Sequence, residues 1–177
     1  MMLGNSSRQY GLVAKLLHWL VALLILALIP LGNWLVRLDY FDRWYFRALE
    51  WHKALGIIVL ALAAVRIVWS LFNPAPVPNV SGWQRWLASA THRVLLLLTV
   101  LVPLAGYGIS TAAGDGVSVF GIMDVPAPLP KNESLRHWTT GVHYWTAYLT
   151  AALILLHVAA ALKHHFLNRD DTLRRML

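Results

Sequence analysis

The stretch H-Y-W-T-A-Y-L-T-A-A-L-I-L-L-H, residues 143–157, opens and closes on a histidine and carries no charged residue between them. Fourteen residues at the helical rise cover about 21 Å and come back to nearly the same helix face. An apolar run of this length, extended to Phe166, is what a bilayer-spanning helix needs. A histidine inside lipid is costly and marks a functional position. Two on one stripe, one toward each membrane surface, predict two stacked metal or haem sites.

The rest of the chain agrees with a membrane setting. Of 177 residues 58% are hydrophobic and 13% charged, a balance that fits a small membrane bundle and not a soluble domain. Nine tryptophans suit the two interfaces. There is no cysteine, which excludes disulfides, iron–sulfur clusters, thiolate zinc and covalent haem attachment through C-x-x-C-H. The net charge of +7 has no basic, aromatic-studded soluble domain to carry it, so nucleic acid is not an expected partner.

Four apolar spans are predicted, at about residues 16–36, 52–72, 92–111 and 142–166, within a single domain over 1–177. N-P-A-P-V-P-N (73–79) ends the second and A-A-G-D-G (112–116) the third. Pro30 and Pro103 fall inside spans, where neighbouring helices tolerate them. The first span is long for a signal peptide and has no convincing small-residue cleavage site, so it is read as retained. The expected fold is all-α: an up-down-up-down four-helix bundle in the bilayer. One face then collects nine basic residues (Arg8, Lys15, Arg66, Arg85, Arg93, Lys163, Arg169, Arg174, Arg175) against Asp170 and Asp171. The other pairs six basic residues with six acidic ones. The excess places both termini in the cytoplasm. The apolar stretch V-F-G-I-M-D-V-P-A-P-L-P (119–130) suits a cap on the opposite end of the bundle.

Alternating helix direction assigns depths to the histidines. His18 opens the first helix on the cytoplasmic side and His52 the second on the outer side. The fourth helix runs parallel to the second, so His143 is level with His52 and His157 with His18. The two pairs His52/His143 and His18/His157 each join two helices, as a bis-histidine haem requires. Four places after each stand Ala22, Gly56, Ala147 and Ala161, small residues on the same face that leave room for a flat macrocycle. His92, His137, His164 and His165 lie toward span ends, where solvation at the interface accounts for them. Arg66 follows His52 by fourteen residues and reaches the inner level, where a guanidinium matches a haem propionate. Lys15 and Lys53, each near a paired histidine, are comparable candidates. His164, seven residues after His157, is a protonatable group suited to quinone chemistry at the inner site.

K-L-L-H-W-L (15–20), W-H-K-A-L-G-I-I-V-L-A-L-A-A-V-R-I-V-W (51–69) and L-L-H-V-A-A-A-L-K-H-H-F-L-N-R-D-D-T-L-R-R-M-L (155–177) resemble the bacterial cytochrome b561 family. The likeness runs over essentially the whole chain. It implies a four-helix inner-membrane cytochrome with two noncovalent haem b groups, its four axial ligands falling on His18, His52, His143 and His157. The broader superfamily includes cytochrome b subunits of membrane hydrogenases and formate dehydrogenases. This short, self-contained chain is more similar to the stand-alone branch, which implies electron exchange with quinone and includes superoxide oxidases that pass electrons to ubiquinone. The chain is therefore expected to be an oxidoreductase that oxidises superoxide on the periplasmic side. A protein partner is possible but not required. Two other readings remain: a membrane anchor and electron conduit for a dehydrogenase or hydrogenase, and a histidine-lined metal or proton transporter. The second lacks the mid-span carboxylates such transporters use.

Overall fold

The computed structural model describes residues 2–77 and 82–177, so the last two residues of the proline-rich breaker lie outside the described residues. Four long helices dominate: α1 (Leu12–Leu35), α2 (Tyr45–Phe72), α3 (Gly82–Ala112) and α4 (Glu133–Phe166). All four are long and apolar enough to cross a membrane. The helices overrun the apolar spans drawn from sequence, by seven residues at the start of α2, ten at α3 and nine at α4. Hydropathy finds only the length that lipid tolerates; the added turns carry Arg47, Arg85 and Arg136 and need no apolar environment. His52 therefore sits two turns inside α2 and does not open it.

Helix starts have local causes. The Asn132 side chain caps α4 by accepting from the Leu135 N–H at 3.0 Å, with Glu133 in the first turn where the helix dipole favours it. Pro30 and Pro103 stay inside continuous α1 and α3.

Chain neighbours pack on one another: α1 on α2, α2 on α3, and α3 on α4 most extensively. By contrast α4 makes no comparable approach to α1 or α2 among the described residues. Packed helices ordinarily lie 8–10 Å apart. The fourth side of the bundle is held wider than that, and only Thr139 and Thr150 of α4 are buried. Small residues allow the close contacts elsewhere: Ala48, Ala54 and Ala63 are the buried alanines of α2.

Each end of the bundle is closed differently. Between α3 and α4 a short antiparallel hairpin forms from β1 (Val117–Val119) and β2 (Met123–Val125), turning through Phe120 and Gly121, both with positive φ. Val117 and Val119 are buried and β1 packs on α2, so this apolar connection caps the bundle as a β-hairpin. The Tyr107 hydroxyl donates to the Pro126 carbonyl and ties the segment to α3. At the other end the N-terminal segment, the α2–α3 connection and the C-terminal tail are knitted together. Asn5 Nδ2 donates to the carbonyls of Asn73 and Pro74, and Arg175 Nη1 to that of Val77 at 2.8 Å. Trp19 Nε1 of α1 donates to the Met176 carbonyl at 2.8 Å.

Candidate functional site

The wide side of the bundle contains the four histidines singled out by depth. His52 of α2 faces His143 of α4 at the hairpin end, with ring centroids 5.9 Å apart and planes at 84°. His18 of α1 faces His157 of α4 at the end bearing the termini, at 6.4 Å and 65°. A metal held between two imidazoles, at about 2 Å from each nitrogen, sets ring centroids roughly 6 Å apart. Both pairs have that separation. Among the described residues no cluster of three or more His, Cys, Asp or Glu side chains could hold a bare metal ion. Two facing imidazoles across an interhelical gap suit a cofactor that brings its own equatorial ligands.

Three further observations test that fit. His18 and His52, one from each pair, keep a buried Nδ1 with no protein partner. A buried unpaired nitrogen is costly, which is consistent with histidines adapted to something other than protein. Beside His52, a Cβ added at Gly56 would meet nothing within 4 Å, so the room anticipated one turn after the histidine is there. His143 Nδ1 lies 2.9 Å from the Val102 carbonyl of α3. In the tautomer with the proton on Nδ1, that bond fixes the ring and leaves Nε2 as the free donor atom. The residues fit a haem.

Two glycines missing from the sequence reading shape these positions. A Cβ at Gly32 would stand 2.9 Å from His52 Cε1, and one at Gly106 would stand 3.0 Å from both Cε1 and Nδ1 of His143. Each lets an imidazole lie against a neighbouring helix backbone. Gly106 lies one helical turn beyond Val102, whose carbonyl receives the ring. Spacing within their own helices gives no sign of this, since both glycines act across a helix–helix contact.

Arg66 reaches the level of His18, as its spacing from His52 predicts. It is half-buried and is the common charged neighbour of His18, His92 and His157. His92 is exposed, as expected of a residue toward a span end, and its ring also stands 5.4 Å from that of His157. Lys15 donates to the Leu177 carbonyl and so engages the tail. Lys53 lines a cleft of about 210 Å³ with Phe46, Glu50 and Gly116 to Ser118, between α2 and the hairpin. His164 Nδ1 is 2.6 Å from Asp170 Oδ2, an ion pair when the imidazole is protonated. His137 is exposed.

Helices, gap and facing imidazoles define a membrane-spanning bundle built around cofactors. A sequence model described as prokaryotic cytochrome b561 matches residues 9–177, and the chain belongs to this family. It is 39% identical over 175 residues to cytochrome b561 homolog 2 of Escherichia coli K12, covering 98% of this chain and 93% of that one. It is 31% identical, over 96% of each chain, to a Yersinia pestis protein named probable superoxide oxidase CybB. It is also 29% identical to cytochrome b561 homolog 1 of Escherichia coli K12, over 91% of this chain and 92% of that one. The chain is thus a multi-pass bacterial membrane protein of electron transport, and its family implies b-type haem.

Proposed function

We propose that this protein carries electrons across the inner membrane between superoxide on the periplasmic side and ubiquinone on the cytoplasmic side, using two haem b groups. The observation that carries the reading is the pair of facing imidazole sites, spaced about 21 Å apart along the middle of α4. His52 and His143 hold the outer haem, His18 and His157 the inner one. Bound haem supplies reversible one-electron chemistry; the chain supplies spacing, ligation and charge. The excess of basic residues at the terminal end puts that end in the cytoplasm.

The chain's own residues divide the work. At the outer end Arg43 and Arg47 both lie over the Trp44 ring, at 5.3 and 5.9 Å, and Lys53 lines the cleft beside the hairpin. Grouped cations of this kind draw in a small anion. At the inner end Arg66 would pair with a haem propionate. His164, which is bonded to Asp170, would deliver a proton to quinone. Two superoxide anions lose one electron each to give two O₂; one quinone takes two electrons and two protons to give quinol. The likeness to a protein named superoxide oxidase supports the donor.

The test is the haem-to-protein ratio of the purified protein with pulsed-superoxide reduction in the presence and absence of ubiquinone. Two haems per chain, fully removed by acidified acetone, and quinone-dependent turnover are expected. A ratio of one, or pigment that resists extraction, rejects the paired sites.

A further inference from the structure

The two imidazole pairs are alike in separation but not in surroundings. At the outer pair, His143 is bonded through Nδ1 to the Val102 carbonyl at 2.9 Å. Donation to a carbonyl makes the remaining nitrogen a stronger electron donor to a metal and favours the oxidised, more positive state. His18 and His52 are alike in keeping a buried Nδ1 without a partner, so the difference lies between their partners: no backbone bond corresponding to that of His143 is present at His157 among the described residues.

Charge differs in the complementary sense. Arg66 is half-buried on α2, fourteen residues after His52 and therefore at the level of the His18/His157 pair. A cation in a medium of low dielectric opposes further positive charge nearby and so favours the reduced state of a metal between those rings. The sign is the same if the guanidinium instead neutralises a carboxylate of the macrocycle. Of the other charges at this end, Lys15 adds to it, Arg175 and Asp171 lie 3.9 Å apart and offset each other, and Asp170 is bonded to His164. The outer cations are weaker in effect. Arg43 and Arg47 are exposed, and Lys53 shares its cleft with Glu50, which offsets it.

Resting on the two-site reading above, we propose that the Val102 carbonyl and Arg66 grade the bundle. The His52/His143 site holds the more readily oxidised haem and the His18/His157 site the more readily reduced one. With haem bound between each pair of histidines, electron movement from the outer to the inner site would be downhill, with no bond or proton exchanged.

The experiment is an optical redox titration of the purified holoprotein, with each component assigned through His52→Ala and His18→Ala. The component lost in His52→Ala should have the lower midpoint. Arg66→Gln should lower the midpoint of the other component, narrowing the gap, and Arg66→Lys should restore it, since charge and not shape is responsible. Gly106→Ala, whose Cβ would stand 3.0 Å from Cε1 and Nδ1 of His143 and push the ring by a few tenths of an ångström, should weaken the bond to the Val102 carbonyl and raise the outer midpoint alone. Two haems with the order reversed, or an Arg66→Gln shift shared equally by both components, would overturn the grading while leaving the two-site reading intact. Loss of the outer haem in Gly106→Ala would also overturn it, because the bond is argued to tune that site and not to retain it. A wild type with fewer than two haems would overturn the two-site reading itself, and the grading with it.

Discussion

The imidazole of His92 on α3 stands edge-on to that of His157 on α4, with ring centroids 5.4 Å apart and planes at 77°. No third ring meets His52 or His143 in this way among the described residues, so the inner site has a crowding partner and the outer site has none. His92 touches this pair without being one of the two facing histidines. His92→Ala should therefore keep two haems per chain and change the spectrum or midpoint of the inner component only. His137→Ala, at an exposed position, should change neither. Haem stoichiometry with redox titration checks both; a ratio of one in His92→Ala would make it a ligand.

Single replacements of the four facing histidines should sort into two classes. His52→Ala and His143→Ala should each remove the same redox component, and His18→Ala and His157→Ala the other, with haem falling from two to one per chain in every case. The facing of the rings at 5.9 and 6.4 Å motivates the sorting. Should His52→Ala and His157→Ala abolish the same component, the pairing is wrong.

Gly56 offers a test independent of ligation. A Cβ there meets no protein atom within 4 Å. Leucine is also a better helix former than glycine by roughly 0.5–1 kcal/mol. Gly56→Leu should therefore leave helicity unchanged by circular dichroism and yet halve the haem content, because its side chain fills space beside His52. Full haem content would mean the macrocycle lies on another face of α2.

Much of this was legible in the sequence because helical spacing fixes depth. The fourteen-residue interval in α4, with alternating helix direction, returns the same two pairs that the structure sets ring to ring. What spacing does not fix is rotation between helices. His92, Gly32 and Gly106 act across interfaces, and no count along one helix shows which faces meet. The hairpin was hidden for a different reason: its strands are three residues long, too short to show an alternating pattern.

The tail at the terminal end should be acid-sensitive. Asp170 loses some solvation by partial burial, which raises its pKa, but hydrogen bonds from Thr172 and His164 outweigh this and hold it below the ordinary carboxylate value. A group whose folded pKa is depressed contributes stability above its unfolded pKa and loses it as pH falls through the folded one. That window lies below about pH 4. Hydrogen exchange over residues 168–177 should accelerate there, and Asp170→Asn should give the faster exchange already at neutral pH. Exchange in the variant equal to wild type at neutral pH would show that the tail is held by its backbone contacts alone.

Superoxide capture is the most demanding expectation of the proposed reaction. The donor is an anion, and the basic side chains nearest His52 are Lys53, its neighbour in sequence, and Arg47, just over one turn earlier. Steering by such charges is lost as salt shortens the screening length, to about 10 Å at 0.1 M. Haem reduction by pulsed superoxide should slow as ionic strength rises. Neutralising Lys53 and Arg47 together, as Lys53→Gln with Arg47→Gln, should slow it by roughly tenfold at low salt, the lower end of electrostatic steering. It should also flatten the salt dependence, while quinol oxidation at the far end changes less. Fast reduction untouched by the double substitution would keep the reaction and move its point of approach elsewhere. No reduction in the intact wild type would remove superoxide as the donor and favour an anchor that takes electrons from a dehydrogenase, which co-purification would then identify.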